Sequence, residues 1–287
     1  MSEIRKVSAS AGAEWLLGGF ALLRKAPLGL GLLGLIYGAL ALLVSLSVER
    51  NMTLFVVLEL ALILAGPLLL GGLVHAARSV DQGGKAEPGQ LLEGARSGRA
   101  ARLLATLMPQ IVALIVCAVL LILMVGSDQL VQMAQTLERM QGQSTPDPAL
   151  VSSLPIGRLM LWLLLVFMIG LVTSFFTFVA VPEIMFTQSG AFAAMQRSFR
   201  ACVRNLPALI VFFVLTVIAV VVLYIAIMIV AVIVKLIAGA MAMQIVIQLL
   251  AMAVFMPLVT GAMYYAWKQM LGDGQTAIAE PSAGFEA

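Results

Sequence analysis

The sequence predicts an all-α integral membrane protein: six transmembrane helices in three pseudo-repeated units, each an interfacial amphipathic helix followed by a transmembrane hairpin. Three observations predict it. A soluble chain carries about a quarter charged residues, whereas 11% of these 287 residues are charged and 62% are hydrophobic. With a mean hydropathy of +1.08, such a surface cannot be kept in water. The apolar residues fall into six runs near 28–48, 53–78, 103–126, 158–181, 206–234 and 243–268, each long enough at about 1.5 Å per residue to cross a hydrocarbon core of about 30 Å. Finally, a basic frame recurs: "GQLLEGARSGRAA" at 89–101 and "GAFAAMQRSFRAC" at 190–202 hold Gly, Arg, Ser, Arg and Ala at the same offsets.

The elements follow in chain order. "GAEWLLGGFALLRKAP" predicts a first interfacial helix, a fainter copy of the frame that keeps Gly12 and closes on "RKAP", with Gly19 and Leu22 where the other copies carry arginine. Pro27 suits the start of the first span, because a first-turn residue leaves its N–H unpaired in any case. That apolar run is too long for a cleavable signal and lacks a small-residue cleavage site after it, so it is expected to remain as a span. Gly34 and Gly38 within it form a small-xxx-small face for close helix contact. The second interfacial segment, "GQLLEGARSGRAARLLA", contains two further glycines and Glu93 and is the poorest helix former of the three. In the third, Phe192, Met195, Phe199, Cys202 and Leu206 recur at helical spacing, while Arg197, Arg200 and Arg204 share another face. This predicts a helix lying on the membrane surface, apolar side toward the headgroups.

The second and sixth spans end in a shared frame, "PLLLGGLVHAAR" and "PLVTGAMYYAWK", which aligns His75 with Tyr265 as interfacial anchors. Pro182 holds the matching place in the fourth. Together the frames define one membrane domain over 1–270, with units near 9–78, 88–187 and 188–270 running in the same direction. Residues 79–90 read as a Gly and Pro turn. Over 127–157, Ser127 is a candidate cap for a helix with Leu130, Met133, Ala134 and Leu137 on one stripe, either prolonging the third span or folding back as a lid before the "GQSTPDP" turn. Residues 271–287 have the composition of a disordered tail.

Charge sets the orientation. With a cytoplasmic N-terminus, 13 of the 17 Lys and Arg lie inside, leaving Arg50, Arg139, Arg158 and Lys235 outside. This positive-inside bias places both termini in the cytoplasm of a bacterial inner membrane. The net charge of +3 follows from that asymmetry and implies no nucleic-acid partner.

The layout of interfacial helix then hairpin, with "RSFRACVRNLPAL" before the fifth span, resembles a family of uncharacterised proteobacterial six-helix inner-membrane proteins. It is also distantly similar to the membrane domain that precedes some bacterial glycerophosphodiester phosphodiesterases. The resemblance spans most of 5–270. It implies the six-helix fold but not the phosphodiesterase activity, whose catalytic domain does not accompany these residues.

One histidine and two separated cysteines, Cys117 and Cys202, offer neither a transition-metal site nor a Ser-His-Asp set. No cofactor is implied, and the polar residues do not cluster as acid, base and nucleophile, so a self-contained enzyme is not expected. Two functions remain. The first is an inner-membrane protein that binds or organises anionic lipid, or a membrane partner, through Arg96, Arg99, Arg197, Arg200 and Arg204; guanidinium groups can hold a phosphate bidentately. The competing roles for these arginines are setting topology and pairing with Glu93 or Glu183. The second function is a transporter or channel for a small solute or lipid, using Glu59, Lys235, Gln110, Gln244 and Gln248. Glu59 is the one carboxylate inside a predicted span, at a depth of roughly 10 Å from its outer end. Its alternatives are pairing with Lys235 or Arg50, or protonation. The glutamines alone would serve as interhelical hydrogen-bond donors and acceptors.

Overall fold

The computed structural model describes residues 3–48, 50–141 and 155–272. The "GQSTPDP" turn, the lid alternative that leads into it and the tail beyond 272 lie outside the described residues. Every described element is helical: α1 Ala11–Lys25, α2 Pro27–Ser47, α3 Met52–Asp81, a 3-10 turn Pro88–Leu92, α4 Glu93–Arg96, α5 Ala100–Leu104, α6 Met108–Val125, α7 Ser127–Gln141, α8 Ile156–Thr177, α9 Ala180–Phe186, α10 Ala191–Arg204 and α11 Leu206–Met270. Five stretches are long and apolar enough to cross a membrane: Pro27–Ser47, Met52–Asp81, Ala100–Val125, Ile156–Phe186 and Leu206–Met270. No more than 28% of any of their apolar windows is buried within the protein. Exposed apolar area on that scale needs a lipid solvent.

The runs expected at 206–234 and 243–268 form the single element α11, which breaks at Gly239 (φ 87°, ψ 178°). Only glycine enters that backbone region without strain. The break reverses the chain. A Cβ on Gly12 would lie 2.0 Å from the Ala208 carbonyl oxygen, and one on Gly19 would lie 2.3 Å from that of Leu258. Two positions of α1 only seven residues apart therefore touch both the start and the far part of α11, which no straight helix of 65 residues, roughly 100 Å long, permits. The ends are also tied by the N-terminal segment. The Arg5 N–H donates to the Met270 carbonyl at 3.0 Å, the Val7 N–H donates to Asn205 Oδ1 at 2.8 Å, and Asn205 Nδ2 donates to the Arg5 carbonyl at 3.0 Å.

The chain packs as two units, Met1–Thr106 with Phe176–Ala287, and Leu107–Phe175. In the first, α2 rests on the second half of α11 through the expected small face: a Cβ on Gly34 would meet the Met252 carbonyl oxygen at 2.4 Å. Asn51 caps α3 by accepting from the Thr53 and Leu54 N–H groups at 2.8 and 3.1 Å. The core gathers at one end of α3, where Leu69, Leu73, Ala76, Ala77 and Val80 pack with Leu22, Leu30, Leu33, Leu91 and Tyr264. A second cluster joins Trp15, Phe178 and Phe212. In the second unit, Trp162 Nε1 donates to the Cys117 carbonyl at 2.9 Å, joining α8 to α6. Arg158 donates to Gln129 Oε1 at 3.2 Å, joining α8 to α7.

Of the three segments expected at the interface, two are continuous helices, α1 and α10; the glycine-rich one is divided into the 3-10 turn, α4 and α5, with Gly98 at φ 69°. The face of α10 differs from expectation in part. Phe192 is exposed, as a headgroup-facing side requires, but Met195 and Cys202 of the same expected stripe are buried against the protein with Ala191, Ala194, Ser198 and Ala201. Small side chains recurring at helical spacing let α10 approach the protein closely, so side-chain volume, more than hydrophobicity, selects the inward side. Gly19 and Leu22 of α1, the positions without arginine, are likewise buried.

Candidate functional site

The five candidate arginines separate by environment. Arg197 turns inward and forms an ion pair with Glu183, a carboxylate that is 1% exposed. Ser189 Oγ donates to the same oxygen of Glu183 at 3.1 Å, and Trp267 Nε1 donates to the other at 2.7 Å. Three donors thus surround a buried charge and join α9, α10 and α11, which makes this a structural centre. Arg200, Arg204 and Arg96 are exposed, whereas Arg99 is partly buried with its Nε atom unpartnered among the described residues. Arg102 is partly buried and donates to the Ser189 carbonyl at 3.3 Å.

The exposed cations have apolar companions. On α10, Phe192 (71% exposed), Gln196, Arg200 and Val203 are all exposed and recur at three- and four-residue spacing. On α1, Leu17 (67% exposed), Phe20, Ala21 and Arg24 do the same. Leu92 and Arg96 are an exposed pair at the same spacing. Each outward face therefore presents hydrocarbon beside guanidinium.

A second, partly buried carboxylate closes α3. Asp81 accepts from Tyr265 OH at 2.7 Å, from Tyr264 OH at 2.9 Å and from Lys268 Nζ at 2.9 Å. One turn earlier the Arg78 guanidinium lies 4.6 Å from the Phe186 ring centroid. His75 and Arg78, with Ser79, Gln82 and Gly84, line a polar cavity of about 390 Å³. The sequence reading treats Asp81 as part of a turn and names Glu183 only as one possible partner. The available signal is the polar cluster "YYAWKQ", whose hydroxyls, indole and ammonium require acceptors once that helix end is buried.

Of the polar candidates expected within the spans, Glu59 and Gln248 line one cavity. It has a volume of about 400 Å³ and is also lined by Ser45, Ala41, Val44, Val48, Phe55 and Leu62. Tyr37 lies within electrostatic reach of Glu59. Lys235 and Gln244 are exposed and do not line the cavity, and Gln110 belongs to the other unit. Glu59 forms no ion pair or hydrogen bond with Lys235, Arg50 or any other described residue.

Both cysteines are free. Burial pushes the Cys202 thiol up to about 12, so at neutral pH it is no nucleophile. No group of three metal-ligating side chains occurs among the described residues. Compared with protein-family profiles, curated proteins and solved structures, the chain matches none.

Proposed function

We propose that this is a non-enzymatic, six-span inner-membrane protein that binds and organises anionic lipid through basic helices on its cytoplasmic side. In this reading the two halves of α11 are the fifth and sixth spans, both termini are cytoplasmic, and α1, the α4–α5 segment and α10 open three similar units. The observation that carries the lipid function is the outward face of α1 and α10, where a large apolar side chain and a cation are exposed on one helical stripe. A protein face in water gains nothing from exposing Phe192 beside Arg200. At a headgroup boundary the ring enters the acyl region while the guanidinium meets phosphate, each cation contributing about 1 kcal/mol near an anionic leaflet.

Arg197 is not part of this surface, because its charge is committed to Glu183. The test therefore uses Arg200→Gln with Arg204→Gln. In native mass spectrometry the double variant should retain less phosphatidylglycerol than the parent, roughly thirtyfold less for two lost contacts. Raising salt should narrow the difference, since exposed charges are screened. Unchanged retention at low salt would refute the lipid function.

A further inference from the structure

We propose that the cavity between α2, α3 and the second half of α11 binds a primary ammonium group carried on an apolar chain. This rests on α2 and α3 being membrane-spanning, but not on the anionic-lipid function. The cavity joins three polar side chains, Glu59, Gln248 and Ser45, to apolar ones including Val44, Phe55 and Leu62. Its volume of about 400 Å³ falls within the range of small-ligand sites, about 300–1,000 Å³.

The carboxylate decides the ligand's charge. An acid within an apolar span is costly unless paired, and the protein answers its buried Glu183 and its partly buried Asp81 from within: Glu183 has Arg197, Ser189 and Trp267, and Asp81 has Lys268 and two tyrosines. Glu59 receives no such donor, although it opens into a cavity beside an amide that is equally unengaged among the described residues. No described residue pairs with it, and the proposed partner comes from outside the chain. A lone metal ion is a poor fit, with one carboxylate lining the cavity and no group of three ligating side chains among the described residues. An ammonium fits each wall: its N–H groups donate to the Glu59 carboxylate and the Gln248 carbonyl, its charge faces the Phe55 ring, and its hydrocarbon continues along Val44 and Leu62. A quaternary ammonium has no N–H to donate and binds less well. The same chemistry arises in the aminoethyl headgroup of phosphatidylethanolamine and in free lipophilic amines.

Two titrations of the purified full chain test the site and its source. In native mass spectrometry, phosphatidylethanolamine should be retained about tenfold better than phosphatidylcholine of the same chains. Separately, dodecylammonium should bind more tightly than dodecyltrimethylammonium. Glu59→Gln, nearly isosteric, should abolish both preferences, and Gln248→Leu should weaken them while leaving the carboxylate in place. Arg200→Gln with Arg204→Gln should leave them intact, which separates this site from the anionic-lipid surface. A Glu59-dependent preference for both ligands, or for either alone, supports the site and identifies the ligand's source. Preferences that are absent from the parent, or that persist in Glu59→Gln, overturn it.

Discussion

At the scale of single residues, identical arginines of one sequence frame have opposite roles. Arg197 and Arg200 are three positions apart on α10, yet one neutralises a buried carboxylate and the other is exposed. Removing one partner of a buried pair leaves the other charge uncompensated, at a cost of about 3–5 kcal/mol. Arg197→Gln is therefore expected to lower the melting temperature in detergent sharply, while Arg200→Gln changes it little. Replacing both Arg197 and Glu183 with an uncharged pair such as Gln and Gln should recover much of the loss, because no unpaired charge remains. Equal melting temperatures for the two single variants would show that the Glu183 centre is not a stability determinant.

At the scale of elements, helix contacts here depend on missing side chains. Gly34 of α2 brings its backbone against the Met252 carbonyl, whereas Gly66 of α3 has no atom within 4 Å of where a Cβ would lie. Alanine should act in opposite directions at the two sites. Gly34→Ala forces α2 off α11 and costs about 1–3 kcal/mol by overpacking. Gly66→Ala gains up to about 1 kcal/mol from helix propensity. Thermal unfolding of the two variants, monitored by circular dichroism, reads the sign directly. The first substitution also shifts α2, a wall of the Glu59 cavity, so it should weaken dodecylammonium binding while Gly66→Ala does not.

At the scale of the whole molecule, the charge asymmetry and the reversal of α11 make a joint prediction about topology. If the two halves of α11 cross the membrane in opposite directions, the residues around Gly239 emerge on the outer side together with the segment near residue 145, and Lys268 returns to the cytoplasm. Reporter fusions at residues 145 and 239 should give periplasmic signals, and a fusion after residue 272 a cytoplasmic one. A cytoplasmic signal at 239 with the expected results elsewhere would mean that α11 enters the bilayer without crossing it. Arg5, Asn205 and Met270 are hydrogen-bonded together at one end of that hairpin, so the N-terminal segment and the end of α11 belong on the same side.

Transfer free energy and helical periodicity act locally, and they were enough to place the apolar helices from sequence: the expected runs at 28–48 and 53–78 correspond to Pro27–Ser47 and Met52–Asp81. The small face of Gly34 and Gly38 and the poor helicity of the segment around Gly98 were equally legible, because each follows from side chains at adjacent turns. Which side of α10 turns inward was not, since the apolar stripe grouped Met195 and Cys202 with Phe192, whereas close approach buries them with Ala194 and Ala201 and leaves Phe192 exposed. Only the folded chain brings Glu183, from a different helix, to Arg197, and Asp81 to the tyrosines 183 and 184 positions away. The same holds for Glu59: sequence placed it in a span, but its convergence with Gln248 and its separation from Lys235 depend on how α2, α3 and the reversed half of α11 pack. Local chemistry determined the elements, and contacts between residues distant in sequence decided which polar groups the protein satisfies internally and which it leaves for a ligand.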